Sequence, residues 1–442
     1  MNKESGGPVS RILKAAAKVE PNEVRATILS FIFVFTLMAA YFIIRPVRDA
    51  MASDWTRAET SWLWTATFFF SVIGVSLYGF IISRVSFSKV VPGVYVFFAA
   101  SFAAFYLASG MSADPTLVDK VFYVWLSVFS LFHVSVFWSF MSGLFSKEQA
   151  PRLFAVIASG ASVGAIVGPS IPGFFAEGIG VMNLMLISAA MLLIPVPIIG
   201  SLQKLKVTEL GNANLEADLS QAKRLGKNPF SGFKLFVSNP YLLGIGIFIL
   251  MYVTMSTFVY MEMREMLAVY ERPERAQILG RIDLAVNSLA ILTAIFATSR
   301  LTTRFGMATT LSLIPILMVG GWVVVAAVPL LGVLIGLQIA RRAGNYAVTR
   351  PGREMLFTLV DDETRYKAKP VIDIVVYRGG DMATAWLHTA LRESFAFGLG
   401  GVALIGAVIA AIWAMAGAYL GRTYNNAIAA SDGATDQEIK GE

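Results

Sequence analysis

The 442-residue chain contains no cysteine. Disulfides, thiolate metal sites and cysteine nucleophiles are therefore excluded. Histidine is almost as scarce. His133 and His388 are the only two, both fall in apolar runs, and each is there either a hydrogen-bonded packing residue or a proton relay. No glycine-rich loop ending in Gly-Lys-Ser/Thr occurs, so ATP hydrolysis is not expected and any transport must draw on a gradient. Charge is sparse too: charged residues make up 15% of the chain and hydrophobic ones 56%, with a mean hydropathy of +0.66. That balance excludes an ordinary soluble domain. Without a repeated catalytic His, Ser or metal-ligand constellation, an enzyme is not expected.

What the sequence does contain is a series of apolar runs near the roughly 20 residues that cross about 30 Å of hydrocarbon as helix. Twelve fit: 26–44, 62–82, 90–108, 121–145, 153–176, 181–202, 241–260, 278–297, 307–328, 331–359, 371–391 and 395–420. The expected fold is an all-α polytopic membrane protein with twelve transmembrane helices. An arm (1–25) precedes a six-helix half (26–202), a linker (203–240), a second half (241–420) and a tail (421–442). The arm is basic (Lys3, Arg11, Lys14, Lys18, Arg25) and lacks a short apolar core with a small-residue cleavage site, so the first span is expected to be retained. Six more cations (Lys204, Lys206, Lys223, Arg224, Lys227, Lys234) come after the sixth span, against Lys120 alone after the third. By the positive-inside rule both termini are expected to be cytoplasmic; the expected location is a bacterial inner membrane. The net charge of +7 is then largely topogenic and calls for no nucleic acid.

The chain repeats itself at long range. Ser83-Arg84-Val85 returns as Ser299-Arg300-Leu301 and Arg48-Asp49 as Arg264-Glu265, both offset by 216, while Glu148 matches Glu363 at 215. Six spans repeated in one direction make two parallel halves, the plan of major facilitator transporters, which implies a substrate site at the midplane between them. The linker is polar through Asn212, Asn214, Asp218, Ser220 and Gly226, then becomes amphipathic from Pro229 to Phe236; it reads as a tether ending in a short surface helix. The tail is polar and reads as disordered.

In the fifth span Gly160, Gly164 and Gly168 recur every four residues, ahead of Pro169, Pro172 and Gly173. Close helix packing explains that spacing. The stretch also resembles the glycine-proline signature on the fifth helix of major facilitator antiporters, with Pro172 at a glycine position. Gly79-x-x-x-Ser83-Arg84 resembles the superfamily's gating loop, with Ser83 at its aspartate position.

The tenth span carries Arg341, Arg342, Arg350, Arg353 and Glu354. At roughly 3 kcal/mol for each central charge, four arginines cost on the order of 10 kcal/mol in lipid unless they face protein, water or an anion. Guanidinium forks match phosphate and carboxylate oxygens, so an anionic substrate is expected. By 100° steps Arg342, Asn345 and Arg353 fall near one face, with Arg341 directed toward a neighbouring helix. Arg45, Arg48 and Asp49 close the first span; Glu262, Arg264 and Glu265 close the seventh. They read as a substrate cavity lined from both halves or as paired gate salt bridges, with Arg45 also readable as a snorkelling anchor. Asp283, two residues after Arg281, reads as a boundary ion pair. Asp373 and Asp381 share a face of the eleventh span, where Arg378 can pair with Asp381 and a carboxylate can carry a coupling proton.

Tyr346-Ala347-Val348-Thr349-Arg350-Pro351-Gly352-Arg353-Glu354-Met355, Asp362-Glu363, Lys367-Ala368-Lys369, Ile372-Asp373-Ile374-Val375 and Arg378-x-Gly380 together resemble the ATP:ADP antiporter family of plastids and intracellular bacteria. The dense match covers about 35 residues, and the Arg-Pro-x-Arg-Asp end of the first span is similar to that family's first-helix signature. The resemblance implies nucleotide exchange by alternating access, with Arg353 at a phosphate-contacting lysine position and Glu354, Asp373 and Arg378 of the family type. Arg350 departs from it by standing where an acidic residue is usual.

The substrate-binding set is therefore expected to be Arg45, Arg48, Arg342, Asn345, Arg353 and Arg378. Asp49, Glu262, Arg264, Asp283, Glu354, Asp373 and Asp381 are expected to couple or gate. Proton-coupled transport of another organic anion or an amphipathic envelope precursor is the alternative, and a non-transporting sensor or assembly protein the third reading. The expected partners are a small anionic solute and the bilayer; the chain is expected to act as a monomer without cofactor or metal.

Overall fold

The computed structural model describes residues 19–82, 87–212, 229–296, 298–361, 364, 368–369 and 371–440. Among them no strand occurs and the chain is helical with short connections. Hydrocarbon imposes this economy, since helix satisfies every backbone N–H and C=O within its own segment. We label the spanning elements α1 (Val24–Ala52), α2 (Arg57–Ile82), α3 (Phe87–Met111), α4 (Pro115–Ser142) and α5 (Ala150–Ile179). The sixth, α6, runs Asn183–Leu193 and resumes as Pro195–Thr208; α7 (Pro240–Leu267), α8 (Arg272–Phe296) and α9 (Thr298–Ala327) come next. Nine described helices are long and apolar enough to cross a membrane by length and composition.

The regions of the eighth, tenth and eleventh expected spans are outside that set, and the tenth and eleventh are segmented. α10 comprises Leu331–Gly344, a π turn at Asn345–Thr349, Arg350–Leu356 and a 3₁₀ turn at Phe357–Leu359. α11 comprises a π turn at Ile372–Val376, Tyr377–Thr389 and a second π turn at Ala390–Ser394. The last helix, α12, spans Leu399–Lys440, so the tail expected to be disordered continues as helix. The amphipathic part of the linker forms the helix Pro229–Ser238.

Helix starts arise from local chemistry. Asp114 Oδ1 accepts from Leu117 N at 3.2 Å ahead of Pro115, and Asn239 Oδ1 accepts from Tyr241 N at 2.9 Å ahead of Pro240. Both place a capping oxygen before a proline whose missing N–H costs nothing at the first helical position. Gly306, with φ 77° and ψ 171°, breaks α9 near its start.

By contact the chain divides into two compact units. The first holds residues 1–52, 69–224 and 270–284; the second holds 53–68, 225–269 and 285–442. The start of α2 thus belongs with the second unit and the start of α8 with the first. In the first unit the α5 glycines face α1: an added Cβ would stand 2.5 Å from Phe31 O at Gly160 and 2.7 Å from Ala39 O at Gly168. Aromatic rings fill the space beside this seam, with Phe33 edge-on to Tyr95 at 5.4 Å and to Phe137 at 5.0 Å. In the second unit α9 packs on α12, where an added Cβ at Gly417 would meet Leu311 O at 2.9 Å.

Several repeat and motif positions lie outside the described residues: Ser83, Arg84, Val85, Asn214, Asp218, Ser220, Gly226, Asp362, Glu363 and Lys367. The same holds for the arm through Lys18 and for the side chains of Gly79, Ser299, Arg300, Leu301 and Asp373.

Candidate substrate site and gating clusters

In the first unit the end of α1 gathers its charges around Pro46, whose ring removes an N–H from the helix interior. Arg48 Nη2 and Nε donate to Asp49 Oδ1 at 2.7 and 2.9 Å, and Arg48 Nη1 donates to Ser127 Oγ at 3.2 Å. The Arg48 guanidinium also lies 5.2 Å from the centre of the Tyr123 ring. Arg45 sits 3.5 Å from Asp283 Oδ1 and 3.7 Å from Asp49 Oδ2. Asp283 therefore pairs with Arg45 of α1. Arg281, expected beside it, turns away and donates to Gly173 O at 2.8 Å. Two guanidiniums meet two carboxylates here, so this cluster brings no excess charge.

The second unit contains a different balance. On α10 Arg341 is 2% exposed and Arg342 4%. Arg341 Nη2 donates to Gln338 Oε1 at 2.6 Å, one turn back, and its guanidinium lies 5.6 Å from the centre of the Tyr252 ring on α7. Arg341 Nε and Nη1 have no hydrogen-bond partner among the described residues. Tyr346 and Tyr377 lie within electrostatic reach of the same guanidinium, and Tyr377 stands 6.2 Å from Tyr252 between ring centres. On α11 Arg378 Nη1 is 3.8 Å from Asp381 Oδ2, and Asp381 is also within electrostatic reach of Arg341. Asp381 thus lies within reach of both Arg341 and Arg378.

Asn345, buried beside Arg342, opens the π turn of α10. That turn interrupts the eleven-residue spacing between Arg342 and Arg353 on which a common face was expected. Its i→i+5 bonding takes in an extra residue and rotates the helix beyond it by roughly 100° relative to a regular one. Arg353 Nη2 donates to Glu354 Oε1 at 2.8 Å, while Lys369 Nζ donates to Glu354 Oε2 at 2.6 Å. Glu354 therefore joins two basic positions of the family-like stretch. Asp373 has its backbone in the π turn that opens α11, and its side chain lies outside those described.

The seventh-span acids and Arg264 belong to a third cluster, also within the second unit. Glu262 Oε1 lies 2.9 Å from His388 Nε2 and 3.5 Å from Arg392 Nε. Glu265 is held by Arg57 at the start of α2 and by Arg392 at 3.1 Å. Arg264 donates to Trp55 O and, at 2.9 Å, to Thr60 Oγ1. The Arg-acid dipeptide is thus used differently in the two halves: Arg48 binds its own neighbour, whereas Arg264 and Glu265 reach separate parts of α2 and its approach. Polar contacts continue along α2, with Ser61 Oγ 2.9 Å from Thr389 Oγ1 and Trp386 Nε1 donating to Thr65 Oγ1 at 3.0 Å.

Sequence reasoning directed Arg341 toward a neighbouring helix, where Tyr252 of α7 meets it, and did not connect His388 with Glu262. The spacing held both clues. Gln338 and Arg341 are three apart, His388 and Arg392 four apart, and each pair shares a helix face in an apolar run.

Comparison with known proteins bears on the whole chain. The family description "Major Facilitator Superfamily" matches residues 29–349. None of the curated proteins matches the sequence significantly. Among solved structures, the crystal structure of the nucleoside transporter NupG has a TM-score of 0.63 at 13% identity, covering 91% of this chain and 99% of that one. A mutant of NupG gives 0.62 at 16%, covering 90% and 99%. A bacterial homologue of the human lysosomal transporter Spinster, inward-facing and unoccupied, gives 0.59 at 12%, covering 92% and 98%. At these identities the likeness is one of fold.

Proposed function

The chain belongs to the Major Facilitator Superfamily, and from that premise, which makes it a multi-pass membrane transporter, we propose that its substrate is an anionic solute held by Arg341 and Arg342. The observation that carries this reading is Arg341, fully buried with two donor nitrogens that meet no acceptor among the described residues. A buried donor without an acceptor forgoes roughly 1–3 kcal/mol, more when it is charged, and an anionic substrate group supplies what is missing. The cluster at Arg45 and Asp283, by contrast, pairs two guanidiniums with two carboxylates and reads as a structural tie or gate.

A phosphorylated metabolite, with ADP and ATP in exchange, is the finer reading. It rests on the resemblance of residues 346–380 to the ATP:ADP antiporters. Tyr252, Tyr346 and Tyr377 offer aromatic faces beside the cation, which suits a planar base as well as the guanidinium. The name NupG records a nucleoside transporter, but a fold-level likeness adds nothing about the solute.

Vesicles containing the purified protein and preloaded with ADP are expected to take up labelled ATP, and empty vesicles to take up little. Uptake indifferent to internal ADP removes exchange. Arg341→Gln is expected to weaken ADP binding by roughly 10–100-fold, the equivalent of one charge-assisted hydrogen bond of about 1.5–3 kcal/mol. Arg341→Lys keeps the charge but not the fork, and falls between. Unchanged affinity in Arg341→Gln takes this residue out of the site.

A further inference from the structure

We propose that the first unit holds a membrane phospholipid in a cleft at the end of the unit that carries the α3–α4 connection, and that the head of this lipid joins a phosphate to an amine, as in phosphatidylethanolamine. The cleft has a volume of about 600 Å³. It is formed by Leu107, Ser109 and Met111 in the last turns of α3, by Val181 and Met182 ahead of α6, and by Arg272 at the start of α8. All six belong to one contact unit. A volume of this size is that of a ligand site, and it is separate from the arginines of α10, which belong to the second unit.

The apolar part of the wall suits an acyl chain. Leu107 is 59% exposed and Met111 84%, at the end of a helix long and apolar enough to cross a membrane, where such side chains meet lipid. Tyr106, also in the wall, marks the depth of the headgroups, because the amphipathic rings of tyrosine collect at the membrane–water interface. Gly110 lines the same cleft, and an added Cβ there would meet nothing within 4 Å. The end of α3 is therefore open where the chain lies.

Two polar features suit the head. Arg272 Nη1 lies 2.8 Å from Asp119 Oδ2, with the guanidinium 33% exposed and the carboxylate 0%, so the member of the pair that lines the cleft is the cation. A guanidinium fork has donors enough for a carboxylate and for phosphate oxygens together. Ser109 Oγ is shielded from solvent and has no hydrogen-bond partner among the described residues. Helical serines commonly donate to the preceding turn, as Ser101 does to Phe98 O at 2.8 Å; an ester or phosphate oxygen of the lipid gives Ser109 the acceptor it lacks. The rim then selects among lipids. Glu271 and Glu274 flank Arg272 in sequence, Asp114 lies on the α3–α4 connection, and all three are exposed. Their charge opposes a head with net negative charge and attracts an ammonium. The phosphate is placed inward at Arg272 and the amine outward at the acidic rim.

The test reads lipid and requires no transported solute. Purified protein in detergent is given equal concentrations of phosphatidylethanolamine or phosphatidylglycerol, and bound lipid is counted by native mass spectrometry. Phosphatidylethanolamine is expected to be retained about fivefold more and to raise the thermal midpoint, because a ligand that binds only the folded state stabilises it. Glycerophosphoethanolamine, the head without its chains, is expected to leave the midpoint unchanged. Gly110→Trp fills the cleft from a position that has room for a side chain, and is expected to cut retention about fivefold and to abolish the rise. Ser109→Ala, the second variant, deletes one hydroxyl and is expected to weaken retention about threefold. Equal retention of the two lipids by the parent protein overturns the proposal, as does retention undiminished in both variants. A midpoint raised as much by the soluble head as by the whole lipid also overturns it, leaving a phosphate site with no place for a chain.

Discussion

Arg45 and Arg341 show how the same residue type takes opposite roles according to its partners. Arg45 is 17% exposed at the side chain and meets Asp283, itself 5% exposed, at 3.5 Å. Removing one member of such a pair leaves the other poorly compensated, whereas replacing both with apolar groups removes the demand altogether. Asp283→Asn is therefore expected to destabilise by about 1–3 kcal/mol, seen as a lower thermal midpoint in detergent. The double variant Arg45→Met with Asp283→Leu is expected to recover most of that loss. A double variant as unstable as the sum of the singles argues that Arg45 does something other than tie α1 to α8. Arg353 is in turn engaged by Glu354, so Arg353→Ala is expected to reduce ADP affinity less than Arg341→Gln. The reverse order, read by the same binding titration, restores primacy to the family-like lysine position.

Helices read from the sequence by period and apolar length carry less information where they are irregular. α5 was legible because its glycines recur every four residues, and its packing against Phe31, Phe35 and Ala39 of α1 is the consequence of that spacing. Gly164→Val places a branched Cβ against the Phe35 carbonyl, an overpacking that costs about 1–3 kcal/mol, and is expected to lower the thermal midpoint by a few degrees. A midpoint equal to that of the parent protein shows that α1 and α5 can part without cost. α10 was legible as a site and illegible in its geometry. Its four arginines and one acid announced function, but no local signal marked the π turn at Asn345–Thr349, which follows directly on Gly344 where that residue lies close against Ile314. The pairing of Glu262 with His388 was hidden for a related reason. It joins residues 126 apart, and neither histidine position has a repeat partner to flag it.

At the scale of the whole molecule, the run of apolar segments made the fold class readable, because hydrocarbon leaves helix as the economical solution. The exchange of helix starts between contact units was not readable, since side chains of α2 and α8 find partners distant in sequence, such as Thr389 for Ser61 and Arg45 for Asp283. Orientation rests on a different physical asymmetry, the density of Lys and Arg on one set of connections. From five cations on the arm and six on the linker, against Lys120 alone after α3, we infer that both termini are cytoplasmic. The absence of cysteine makes this directly measurable, because each introduced thiol is the only one present. Asp114→Cys and Val269→Cys lie on the exposed connections after α3 and α7; Lys147→Cys lies after α4 and Ala429→Cys on the exposed final stretch of α12. In intact cells an impermeant maleimide is expected to label the first two and to reach the last two only after permeabilisation. The opposite pattern inverts the molecule.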